Sequence, residues 1–146
     1  MTTQREIDEA DIRRRVNDLV EAIRAMDLES VTSICAPNLV SYDVGPLLRQ
    51  TGAEAKRKNW VEAFAMFQPP LGYEIRDLEI TVGDDVAFGH SLNRLSGTMR
   101  NGQRRDVRVR WTACFRKIDG NWLMVHDHVS VPLDPASGKA LLNLEP

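Results

Sequence analysis

The side chains best suited to chemistry crowd toward the end of the chain. His126 and His128 stand two residues apart in Trp122-Leu123-Met124-Val125-His126-Asp127-His128-Val129-Ser130, a spacing that puts both on one face of a β-strand. Imidazole titrates near neutrality, so a pair among apolar neighbours is suited to moving a proton. His90 and Arg94, on an earlier stretch, offer a second acid and a donor for developing negative charge or for a ligand carbonyl or carboxylate. Asp43, in Ser41-Tyr42-Asp43-Val44-Gly45-Pro46, is a carboxylate ahead of a Gly-Pro turn, where the ordinary role is to bond turn amides. Tyr42, Trp60, Trp111 and Trp122 are candidate ligand contacts. The histidines lack metal-ligand spacing and an acidic second shell, so no metal and no cofactor is expected. Ser130 has no nucleophile-elbow context.

Two long strands must position the histidines. Residues 104–132 alternate apolar and polar on both sides of Asp119-Gly120, a strong hairpin signal. Asn101-Gly102 joins the first arm to an earlier strand, Val86 to Met99. If both turns hold two residues, pairing runs outward one residue at a time. Phe88 then faces Phe115 and Met124, His90 faces Ala113 and His126, Leu92 faces Trp111 and His128, and Arg94 faces Val109 and Ser130, all on one side. The other side carries aliphatic residues such as Leu123, Val125 and Val129, too many for a wholly solvated face, and predicts a homodimer through it.

The first half supplies the cover. Ile12, Val16, Leu19, Val20 and Ile23 recur at helical spacing between Ile7 and Met26. Asp27 caps a predicted short helix from Leu28 to Cys35, ended by Pro37, and Leu39 to Asp43 reads as a strand. Thr51 and Glu54 have capping-box spacing ahead of a third helix, Gly52 to Met66, with Trp60, Phe64 and Phe67 in a stripe. Tyr73 to Val82 is a further strand. Three amphipathic helices on a strongly curved antiparallel sheet make an α+β fold with a conical pocket.

The chain of 146 residues fits a single domain, 1–146, with residues 1–6 as an N-terminal extension and 133–146 as a C-terminal tail. A formal net charge of −2 gives no electrostatic reason to expect nucleic acid or a membrane as partner. Cys35 and Cys114 read as reduced thiols. The charged N-terminus has no apolar signal region and no stretch is long enough to span a bilayer, so a cytoplasmic location is expected.

The stretches AMDLESVTSICAPNLVSYDVGP, TGAEAKRKNW, DVAFGHSLNRLSGTMRNG and FRKIDGNWLMVHDHVSVP resemble the SnoaL-like, ketosteroid-isomerase-like branch of the nuclear transport factor two-like superfamily. The resemblance implies a cystatin-like α+β barrel with a hydrophobic pocket, usually dimeric, in a family of isomerases, dehydratases, cyclases, hydrolases and non-catalytic modules. Asp43 matches the general base of the family's steroid isomerases. Leu19 and Ala113 stand where those enzymes need a tyrosine and a neutral acid for the oxyanion hole, which argues against steroid isomerisation. The expected function is binding of a small apolar or carbonyl-containing molecule, with cofactor-free acid/base chemistry of isomerase or lyase type. A non-catalytic ligand-binding or oligomerisation module is the alternative.

Overall fold

The computed structural model describes residues 2–146. The elements are α1 (Gln4–Arg24), α2 (Leu28–Thr32), β1 (Cys35–Tyr42), β2 (Gln50–Thr51), α3 (Ala53–Met66), β3 (Gly72–Val82), β4 (Val86–Thr98), β5 (Arg104–Ile118) and β6 (Asn121–Ser130). The strands form one sheet in the order β2-β1-β6-β5-β4-β3. The α+β class is as expected from the sequence, with two differences: β1 runs parallel to β6, and β2 and β3 remain edges, so the curved sheet does not close into a barrel. Among the described residues no helix is long and apolar enough to cross a membrane.

Helix α1 begins earlier than the apolar periodicity implies. Thr3 and Glu6 form a capping box, each side chain accepting from the other's backbone N–H, so residues 4–6 belong to the helix. Its stripe of Ile12, Val16, Leu19 and Ile23 is buried on the inner face of the sheet, each aliphatic side chain contributing roughly 1.5–3 kcal/mol. Asp27 caps α2 through the Ser30 amide, but α2 stops at Thr32 and Cys35 opens β1. The capping box expected at Thr51 and Glu54 does not form. Thr51 is committed to the sheet opposite Val40, and the N-cap of α3 is Gly52 at φ 99°, a conformation that favours glycine.

Two one-residue offsets decide which side chains face inward. Asp119-Gly120 is a two-residue turn with both φ values positive, 50° and 82°, and pairs Phe115 with Met124 as expected. Beyond that pair the register shifts and Cys114 meets His126, leaving Val125 as an extra residue in a β-bulge. The loop before β5 is longer than the Asn-Gly signal implies. Met99 bonds Gln103 across Arg100, Asn101 and Gly102, so Phe88 pairs with Cys114 and His90 with Thr112. The predicted pairings of Phe88, His90, Leu92 and Arg94 are therefore wrong by one residue. A one-residue slip turns a strand over: Ala87, Ser91 and Asn93 of β4 and Asp127 of β6 point inward and are buried.

The tail lies beside the part of β5 that β6 does not reach. The pairing of β6 with β5 ends at Ser130 opposite Arg110, and the Arg108 amide, left free, donates to the Leu142 carbonyl at 2.6 Å.

Candidate functional site

Helix α3 and the inner sheet face enclose a cavity of about 450 Å³. Lys56, Asn59, Trp60 and Ala63 line it because positions i, i+3, i+4 and i+7 share one helix face, and Phe67, the extended residue just past the helix end, joins them. Opposite stand Tyr73 of β3, Leu95 of β4, Val107 and Val109 of β5 and Val129 of β6. Asp43, Val44, Gly45 and Pro46, just past β1, form one side of the mouth, and Glu62 and Arg105 also reach it. A smaller chamber of about 40 Å³ lies deeper, lined by Leu19, Cys35, Trp111, Met124 and Asp127 among others, and shares Lys56, Trp60, Tyr73, Val109 and Val129 with the larger one.

Lys56 is the hub between the chambers. Its Nζ donates to Asp43 Oδ2 at 3.0 Å and Ser41 Oγ at 3.2 Å and lies 3.0 Å from Asp127 Oδ2. Ser41, having accepted from Lys56, donates to Asp127 Oδ1, while Trp111 Nε1 donates to Oδ2 at 3.2 Å. Asp127 is 1% exposed and Lys56 6%, so this is a buried ion-pair network with its polar atoms satisfied. Burial would pull the Lys56 ammonium down, but Asp127 and Asp43 outweigh it and hold its pKa above the ordinary value.

Asp43 is the more accessible carboxylate. Oδ2 accepts from Lys56 and from Asn59 Nδ2 at 3.1 Å, and Oδ1 accepts from the Val44 amide at 2.8 Å. Gln50 exchanges hydrogen bonds with Asn59 and fixes its amide. Burial raises the Asp43 pKa, yet Lys56, the Val44 amide and Asn59 together bring it below the usual carboxylate value. Across the cavity the Tyr73 hydroxyl accepts from Asn93 Nδ2 at 2.8 Å, and Asn93 Oδ1 accepts from Ser91 Oγ at 2.6 Å. Burial pushes Tyr73 up to about 12, the Asn93 bond acting against it, so the phenol keeps its proton. The hydroxyl, having accepted from Asn93, still has its own proton to donate.

A SnoaL-like domain matches residues 12–134, most of the chain. The protein belongs to the SnoaL-like family. A solved NTF2-like protein of unknown function from Pseudomonas putida KT2440 is 27% identical, with a TM-score of 0.87 over 96% of this chain and 97% of that one. A proposed dehydratase of the NTF2-like family from Streptomyces avermitilis is 15% identical, with a TM-score of 0.77 over 90% of this chain and 100% of that one. The association domain of C. elegans CaMKII is 20% identical, with a TM-score of 0.68 over 86% and 97% of the two chains. The last two likenesses concern the fold alone.

Within this SnoaL-like cone the residues singled out from the sequence separate into two groups. Asp43 and Trp60 line the large cavity, and Trp111 lines the deeper chamber. The remainder lie elsewhere, against expectation. The Val125 bulge turns His126 and His128 to the outer face, where both rings pack edge-on against Tyr42 at 4.7 Å and 5.7 Å. His126 Nδ1 donates to the Val40 carbonyl at 2.7 Å. The β4 offset puts His90 outside beside Glu79, 3.5 Å away, and Arg94 outside in a two-bond pair with Asp106. Trp122 points inward but donates to Asp8, away from both chambers. Among the described residues no group of three or more His, Cys, Asp or Glu could hold a metal ion.

Lys56, Asp127, Tyr73, Asn59 and Asn93 were not foreseen. Lys56 carries one signal, its place four residues before Trp60, the one residue of that helix read as a ligand contact. Asp127 carried none, since strict alternation sets it opposite the two histidines beside it.

Proposed function

We propose that the cavity binds a small, largely apolar, oxygenated molecule and that the protein moves a proton on it without a cofactor, in an isomerase- or lyase-type reaction. The observation that carries this reading is a fixed carboxylate and a fixed phenol on one apolar cavity. Asp43 receives a proton from a carbon beside a carbonyl or from a hydroxyl, and Tyr73 donates to the oxygen on which negative charge develops. A carboxylate with a lowered pKa is a weak base, so this chemistry requires the Tyr73 donor to acidify the substrate. Lys56 holds Asp43 ionised and in place; the protonated carboxylate returns its proton to another carbon or to a leaving hydroxyl.

An open cavity of this size favours ligand binding over a purely associative role. A screen of apolar ketones for solvent deuterium uptake, followed by NMR, tests the chemistry. Wild-type protein is expected to exchange α-protons of at least one ketone and Asp43→Asn not to. Equal exchange by the two proteins removes Asp43 as the base, and binding without exchange leaves a non-catalytic carrier. The homodimer through the outer face belongs to the same reading, supported by the half-buried Leu123 and Val125 and the 46% exposed Phe88. Sedimentation equilibrium is expected to give twice the chain mass.

A further inference from the structure

We propose that the oxygenated molecule this cavity takes also carries a protonated nitrogen: the ligand is an apolar amino ketone or amino alcohol whose ammonium takes the open position on Asp43 Oδ1 beside Trp60, with its oxygen at Tyr73. The inference rests on the reading that the cavity binds a small apolar molecule and narrows its class.

Charge is the first argument. Asp127 receives donors on both oxygens from Ser41, Trp111 and Lys56, and Asp43 receives them from Val44, Lys56 and Asn59. Neither faces an acceptor that would call for a proton on the carboxyl, so both are carboxylates. One ammonium lies between them, which leaves one negative charge in surplus on the cavity wall. The other cation on the lining, Arg105, is exposed at the mouth, as is Glu62, and the two together add no net charge. A surplus charge beside apolar walls is costly until a counter-charge arrives.

Geometry is the second argument. Asp43 Oδ1 accepts one hydrogen bond, from Val44, while a carboxylate oxygen takes about two, so a position remains for a ligand donor. Trp60 and Tyr73 stand edge to face, centroids 6.4 Å apart, and both line the cavity, presenting aromatic surface to a cation. A carboxylate ligand fares worst. It adds a second surplus negative charge, and Lys56 has no N–H left to give it, its three being directed at Ser41, Asp43 and Asp127. A neutral alcohol or ketone is held by Tyr73 but leaves the surplus in place.

The test is calorimetric titration of the full chain at neutral pH with phenethylamine, phenethyl alcohol, phenylacetone and phenylacetate. Phenethylamine is expected to bind about tenfold or more tighter than the alcohol, a step of about 1.4 kcal/mol, and phenylacetate weakest of the four. Asp43→Asn is expected to abolish the preference for the amine while retaining the alcohol. Trp60→Leu, which leaves the charges intact, is expected to weaken the amine more than the alcohol. Alcohol or ketone binding as tightly as the amine overturns the inference and leaves the functional reading standing. An amine preference that survives Asp43→Asn overturns the assigned position. Failure of every probe to bind wild-type protein at millimolar concentration overturns both readings.

Discussion

Two aspartates in this molecule are buried to 1% exposure and held by the same kinds of donor. Asp8, on α1, accepts from Trp122 Nε1, Lys117 Nζ and Gln4 Nε2. Asp127, on β6, accepts from Trp111 Nε1, Lys56 Nζ and Ser41 Oγ. The first pair joins one carboxylate to one ammonium, with Lys117 partly exposed and neither chamber reaching it. In the second, Lys56 is shared with Asp43, the sum is negative, and two chambers adjoin it. Burial and pairing therefore do not distinguish a site from a structural tie. Access to a cavity and a charge left over do.

The largest way to break the comparison is to delete Val125 and His126 together. Losing two residues where the bulge holds only one extra moves the rest of β6 by one position against β5, which turns Asp127 outward and drives His128 toward Lys56. Loss of the cooperative unfolding transition, or of all probe binding, is expected, whereas deletion of Val125 alone keeps Asp127 opposite Ala113 and should retain binding; a fully stable double deletion with unchanged binding would mean that the register of β6 does not orient the site. Next in size is Lys56→Ala, which leaves two carboxylates without their ammonium and is expected to cost about 3–5 kcal/mol in urea denaturation. Asp8→Ala is smaller, about 1–3 kcal/mol, because Lys117 can turn to water, and it should leave probe binding unchanged. A reversed order of these two costs would break the distinction between them.

Acid sharpens the same contrast. In both Asp8 and Asp43 burial raises the pKa, but donors and neighbouring lysines bring it below the ordinary value. A depressed folded-state pKa means stability that is present above the unfolded value and lost as pH falls through the folded one. Stability is thus expected to decline below about pH 4, and less steeply in Asp8→Asn when followed by chemical denaturation across that range. The smallest effect is expected on the outer face: His90→Gln should change stability by no more than about 0.5 kcal/mol.

What could be read from the sequence was local. The α1 stripe, the Asp27 cap and the Asp119-Gly120 turn depend on neighbours within a few residues, and each formed. The site depended on parity over long strands, where one extra residue at Val125 and one in the loop Arg100 to Gly102 exchanged inside for outside. Apolar content misled as well: Phe88 looks like core, yet apart from Leu95 the inward positions on β4 belong to small or polar residues such as Ala87, Ser91 and Asn93. Asp43 and Trp60 reach the cavity because neither depends on the register of β4 to β6. Lys56 was hidden because a helical lysine is ordinarily solvated, and only the fold brings two carboxylates to it.

The most direct test is a crystal structure of the protein with phenethylamine bound. The account predicts the ligand in the large cavity, its nitrogen within hydrogen-bond distance of Asp43 and its ring against Trp60 and Tyr73. Density for the ligand on the outer face beside Tyr42, His126 and His128, with the cavity empty, would contradict it.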